Sequence, residues 1–71
     1  MIPKEGRDLI DLNLMLASKA EIDEYAERYL HAAESMLAFA LSCEMLSARE
    51  HCAEIATISL IRAQRRDKSQ N

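Results

Sequence analysis

Apolar residues recur at alternating spacings of three and four along the middle of the chain: Ile22, Tyr25, Tyr29, Ala32, Met36, Phe39, Cys43 and Leu46. That spacing follows one face of an α-helix. Continued in phase, the stripe reaches Glu50, Ala53, Thr57, Leu60 and Gln64, a poor apolar face. A new phase after Ser47 runs better, through Ala48, Cys52, Ile55 and Ser59, widened by Ala56, Ile58 and Ala63. The break predicts a tight turn around residues 44–48, joining a long helix over about 19–45 to a second over about 48–66. The competing picture is one helix running straight through, roughly 73 Å long at 1.5 Å per residue.

Glycine and proline are absent from Arg7 to Asn71, so the turns must be read from capping residues. Two segments carry serine followed three residues later by glutamate, the reciprocal capping-box pattern: Ser18 to Glu21 and Ser47 to Glu50. Upstream, Leu9, Leu12 and Leu16 fit a short helical segment with Asp8 as N-cap and Asp11 in its first turn. Leu12, Leu14 and Leu16 also alternate like a strand, but a lone strand would have no partner in this chain. Residues 1–7 read as a flexible arm, 8–66 as a single helical domain and 67–71 as a flexible tail.

Composition agrees with helix. Valine is missing, threonine occurs once, and alanine, leucine, methionine, glutamate and arginine abound. These residues lose little side-chain freedom in a helix, whereas sheets favour β-branched and aromatic ones. The predicted fold class is all-α, a helical hairpin with a short N-terminal helical segment. An antiparallel hairpin turning near Ser47 brings Arg62 close to Ala33 and Arg66 beside Tyr29, so the basic end of the second helix lies near Glu27 and Glu34.

The apolar share changes the picture. At 71 residues, 49% of them apolar, the chain has more hydrophobic surface than one thin hairpin covers. Beside the main stripe, Ala26, Ala33 and Ala40 widen one side, Leu30, Leu37 and Leu41 form a second row, and Ile61 points away from Cys52 and Ile55. A second copy of the chain is the expected cover, giving a homodimer and a four-helix-type bundle. In scaffold, two helices per subunit, this resembles the small plasmid copy-number RNA-binding dimer, although no motif is shared. The expected core and dimer interface comprises Ile22, Tyr25, Tyr29, Met36, Phe39, Ala40, Cys43, Leu46, Cys52, Ile55 and Ile58. The candidate partner surface comprises Asp23, Glu24, Glu27, Leu30, Leu37, Leu41 and Ile61.

Charge is uneven. Residues 1–61 carry five basic and eleven acidic groups, whereas 62–71 carry Arg62, Arg65, Arg66 and Lys68 against Asp67 alone. Arg62, Arg65 and Arg66 are candidate nucleic-acid contacts, but no aromatic is interleaved, and the net charge of −3 argues against a generally nucleic-acid-gripping surface. Nucleic acid is therefore an unfavoured partner. Asp8, Asp11 and Asn13 interrupt the N-terminal apolar stretch, unlike a secretory signal. The uncharged run from Ser35 to Cys43 falls far short of the ~20 residues that cross a bilayer. With two cysteines and no export signal, the expected location is cytoplasmic, without membrane attachment.

Candidate chemistry is sparse. Cys43 and Cys52 lie near the predicted turn, where they read as a redox clip, as metal ligands with His51 and Glu44 or Glu50, or as small packed thiols; packing is preferred. His31 and His51 each precede a glutamate by three, the reverse of the Glu-x-x-His order of di-iron bundles, and read as surface residues. Tyr25 and Tyr29 suit a base-stacking role less well than a core one with wet hydroxyls. No glycine-rich phosphate loop and no nucleophile with a matched base are present, so the reading is no enzyme, no metal and no cofactor. The expected function is that of a small regulatory or adaptor protein acting through helix–helix contacts, as accessories of phage, plasmid or secretion operons do. The alternatives are a nucleic-acid-binding dimer using the C-terminal arginines and an amphipathic peripheral membrane or stress peptide; acidic outer faces weaken the latter.

Overall fold

The computed structural model describes residues 1–69, which form three helices: α1 (Lys4–Lys19), α2 (Asp23–Ser42) and α3 (Ala48–Ser69). The expected hairpin is present as α2 and α3, and the single continuous helix is not. The N-terminal segment is longer than its leucines implied. Helix begins at Lys4, within the expected arm, because Pro3 has a φ of −57° and its carbonyl accepts the Arg7 N–H at 2.9 Å. Intrahelical pairs of Lys4 with Asp8 (3.0 Å) and Arg7 with Asp11 (2.6 Å) support the first turns. At the other end, α3 carries the helix through residues 67–69 of the expected tail; Gln70 and Asn71 lie outside the described residues.

Of the two capping boxes, one forms. The Glu50 N–H donates to Ser47 Oγ at 3.1 Å and the Ser47 N–H to Glu50 Oε1 at 2.9 Å, which starts α3. Ser18 instead stays inside α1, donating its hydroxyl to the Leu14 carbonyl at 3.0 Å. α2 therefore begins later than expected, after an extended Ile22 with no side-chain cap. Asp23 and Glu24 in its first turn oppose the positive end of the helix dipole instead.

The α2–α3 reversal is made without glycine. The Met45 N–H reaches the Ala40 carbonyl at 2.9 Å and the Glu44 N–H reaches that of Leu41 at 3.1 Å. These are the two bonds of a Schellman motif, and the left-handed residue it requires is Glu44, with φ of 60°. A side chain in that conformation costs roughly 1–2 kcal/mol.

The core is built on a seam one residue out of register with the predicted stripe. Ala26, Leu30, Ala33, Leu37 and Ala40 are buried along α2, joined by Ile10 and Ala17 of α1, Leu46 of the turn, and Ile58 and Ile61 of α3. Each α2 member follows a predicted core residue by one position, a rotation of about 100° around the helix. Both rows share the same period. The structure buries the smaller one because alanines let α1 approach α2 closely, and α1 packs more extensively on α2 than α3 does. The row that carries Tyr25 and Phe39 is left outside, with Ile22 52%, Tyr25 49% and Phe39 67% exposed.

Leu37→Ala should destabilise the chain by about 2–5 kcal/mol, whereas Phe39→Ala should cost the monomer far less. Ser47→Ala should cost about 1 kcal/mol through the lost cap. Urea unfolding followed by far-UV circular dichroism checks all three.

Candidate interaction surface

Two surfaces decide what this molecule can offer a partner: the seat of α3, closed by charge, and the opposite side of the α1–α2 pair, left open and apolar. α3 contributes two well-buried apolar side chains, Ile58 and Ile61, with Ile55 partly covered. Much of its remaining attachment is ionic. Arg7 of α1 holds Glu54 with two hydrogen bonds, 2.9 and 3.1 Å. Arg62 spans Glu27 (3.0–3.2 Å) and Glu34 (2.8 Å) of α2. Arg65 donates to the Ala17 carbonyl at 3.0 Å and that of Ala20 at 2.6 Å, at the end of α1, and to Asp23 at 2.7 Å, in the first turn of α2. Arg65 thus joins all three helices, with its side chain only 16% exposed.

This arrangement reassigns the candidate nucleic-acid contacts. Arg62 and Arg65 are committed to their own chain, and only Arg66 of the three is exposed. The candidate acidic partner patch is likewise paired: Asp23 with Arg65, Glu24 with Arg28 at 3.3 Å, Glu27 with Arg62. The Arg62 hydrogen bonds hold the Glu27 carboxyl below its ordinary value of 4.5, with the nearby guanidinium charge adding to the effect against the opposing pull of desolvation. Both Arg7 and Arg62 are raised, chiefly by hydrogen bonds to their carboxylate partners. Leu30, Leu37 and Ile61, also expected to face a partner, are buried in the core, and Leu41 is partly covered.

The open face lies where α1 and α2 meet on the side away from α3. By helical spacing, α1 presents Leu9, Leu12 and Leu16 there, and α2 presents Tyr25, Tyr29, Ala32, Met36 and Phe39. An apolar groove of about 370 Å³ opens at one end, between Ile2, Gly6 and Ile10 on one wall and Met36, Phe39 and Met45 on the other. Gly6 packs closely on Ile2 in this wall: a Cβ there would come within 3.2 Å of the Ile2 Cγ2 atom. A depression of similar size lies at the other end, bordered by Leu16, Ile22, Tyr25 and Tyr29. Arg28 lies over the Tyr25 ring, 5.6 Å from its centre, at the edge of this face.

Of the expected core and interface residues, Ala40, Leu46 and Ile58 are buried, and Tyr29, Met36 and Ile55 are partly covered. Ile22, Tyr25 and Phe39 stand on the open side of the α1–α2 pair. Cys43 and Cys52 are both exposed free thiols rather than packed ones, because the true core seam leaves them on the outside. Sequence reading missed the contribution of α1: Leu9 and Leu12 are 50% and 45% exposed, and their spacing with Leu16 was the available signal. It missed the Arg7–Glu54 pair as well, which no local pattern encodes. His31 is exposed between Glu27 (3.8 Å) and Glu34 (3.3 Å). Among the described residues no group of three or more histidine, cysteine, aspartate or glutamate side chains is placed to hold a metal ion, and no helix is long and apolar enough to cross a membrane. No family model, curated protein or solved structure matches the chain.

The lowered Glu27 carboxyl sets a pH dependence. Its pairing with Arg62 contributes in full above the unfolded value near 4.5 and is lost as pH falls through the lower folded value. Glu27→Gln should therefore lower the melting temperature modestly at about pH 7, the carboxylate being half exposed, and the gap should narrow as pH falls below the ordinary carboxyl value and through the lowered folded one. Thermal melts of both proteins across that range provide the check.

Proposed function

We propose that this chain is a non-enzymatic helical interaction module, regulatory or adaptor in character, that works as a homodimer through the open face of α1 and α2. The observation that carries this reading is the set of apolar side chains that α1 and α2 turn to the same side, Leu9, Leu12 and Leu16 with Tyr25, Tyr29, Met36 and Phe39. Side chains of this size left in water at about half exposure or more, as Leu9, Tyr25 and Phe39 are, mark an association surface when they are contiguous.

Size supports the same reading. The molecule extends 41 × 21 × 15 Å, long enough for one side to offer the ~800 Å² per partner of a standard interface. Two such faces brought together by a two-fold axis give a four-helix bundle made from two α1–α2 pairs, with α3 on the outside of each. This differs from a bundle of α2–α3 hairpins, since α3 covers the other side of the seam. The exposed aromatics, one near each end of the face, suit association, since tyrosine and phenylalanine are enriched at interfaces.

The nucleic-acid alternative has less to draw on. Its recognition would rest on Arg66 and Lys68, because Arg62 and Arg65 already neutralise carboxylates of the same chain, and phosphate contacts require available cations.

At low micromolar concentration, light scattering behind size exclusion should give the mass of a dimer. The double variant Leu9→Asp/Phe39→Asp should lose most of that dimer at the same concentration, with unchanged helicity. A parent chain that is monomeric throughout and unfolds cooperatively would defeat the proposal.

A further inference from the structure

We infer that α3 can exchange between two copies of this chain, with residues 43–47 as the hinge, so that each copy's α3 seats on the α1–α2 pair of the other. The hinge, Cys43-Glu44-Met45-Leu46-Ser47, contains no glycine or proline. Glutamate, methionine and leucine are among the better helix formers. The chain nevertheless reverses here, and it does so by holding Glu44 at φ 60°, a conformation that favours glycine and strains a residue with a side chain. Straightening the hinge returns Glu44 to right-handed helix and fuses α2 and α3 into one helix over residues 23–69, about 70 Å long.

The contacts that seat α3 permit the exchange. Arg7 to Glu54, Arg62 to Glu27 and Glu34, and Arg65 to Ala17, Ala20 and Asp23 each run between α3 and the α1–α2 pair. So does the burial of Ile58 and Ile61. None lies within α3, so each can be made against the α1–α2 pair of a second copy instead. The α1–α2 pair stays folded because its own seam holds it.

Opposing devices keep the closed form in competition. The Ser47–Glu50 capping box and the Met45 and Glu44 amide bonds exist only with the turn in place, and Leu46, 8% exposed in the closed form, needs new cover in the open one. In the exchanged dimer the two straightened hinges run past each other, which supplies that cover from Met45 and Leu46 of the other copy. Concentration selects between the forms. The exchange does not pair the open α1–α2 faces, although opening the hinge moves Met45 from the wall of the groove at one end of that face.

The test uses the full chain carrying Leu9→Asp/Phe39→Asp, so that face-to-face pairing is removed. In that background a residual, concentration-dependent dimer is expected. Glu44→Gly should weaken it by about tenfold or more, since glycine relieves the strain of the closed turn in both copies. Ser47→Ala should strengthen it by removing the cap.

A mixing experiment reads the topology directly. Chains carrying Arg7→Glu and chains carrying Glu54→Arg each place like charges at the α1–α3 contact. In an exchanged heterodimer, one lobe pairs the two substituted positions with opposite charges and the other pairs the two unsubstituted ones. Native mass spectrometry of the refolded mixture should show the heterodimer in excess over both homodimers, with the parent's melting temperature regained. A mixture that behaves as the sum of its parts, together with Glu44→Gly leaving the mass distribution unchanged, overturns the exchange. Loss of all dimer on Leu9→Asp/Phe39→Asp alone would also overturn it while upholding the face-to-face reading.

Discussion

The structure depends on close contact between α1 and α2 along a row of small residues. Ala26, Ala33 and Ala40 recur every seven positions, with Leu30 and Leu37 between them, and Ile10 and Ala17 complete the contact from α1. Alanine has no volume to hold two helix axes apart, so dispersion contacts form along the whole length of the seam. The two leucines and Ile10 then fill the space between the backbones at full burial. With α1 and α2 fixed in this way, their outer rows are fixed too. Tyr25 and Phe39 cannot reach the core while the seam occupies it.

α3 is attached by a different kind of force. It has few apolar residues to bury, and it reaches the α1–α2 pair through arginines that each serve more than one acceptor. Such bonds are directional and screened by salt where exposed. Arg65, largely covered, also satisfies carbonyls that the end of α1 leaves without helical partners. A cluster that reads in the sequence as a basic tail is thus mostly internal mortar. Binding proposals that draw on those arginines must first break the fold that holds them.

The core seam and the open face draw on different rows of the same two helices. The open face has Met36 and Phe39 in the groove at one end and Leu16, Tyr25 and Tyr29 around the depression at the other. The α2–α3 turn sits at the rim of the apolar groove, where Met45 serves both the Schellman bond and the groove wall. A change at the turn therefore acts on the surface that the α1–α2 pair presents as well as on the seating of α3.

All-helical architecture, the break near Ser47 and the approach of Arg62 to Glu27 and Glu34 were legible from the sequence alone. Each follows from short-range rules: helix propensity, a reciprocal cap, and the arithmetic of an antiparallel turn. Two apolar rows of identical period run along α2, and period alone cannot rank them. The three-and-four spacing of the Tyr25–Phe39 row marks an apolar face without marking which face is buried. Tertiary structure chose the alanine row, because the packing of α1 rewards close approach over side-chain volume. The Arg7–Glu54 pair was likewise settled by a contact between residues distant in the chain, whereas the start of α1 at Lys4 and the left-handed Glu44 rest on local backbone bonds that no side-chain pattern announces.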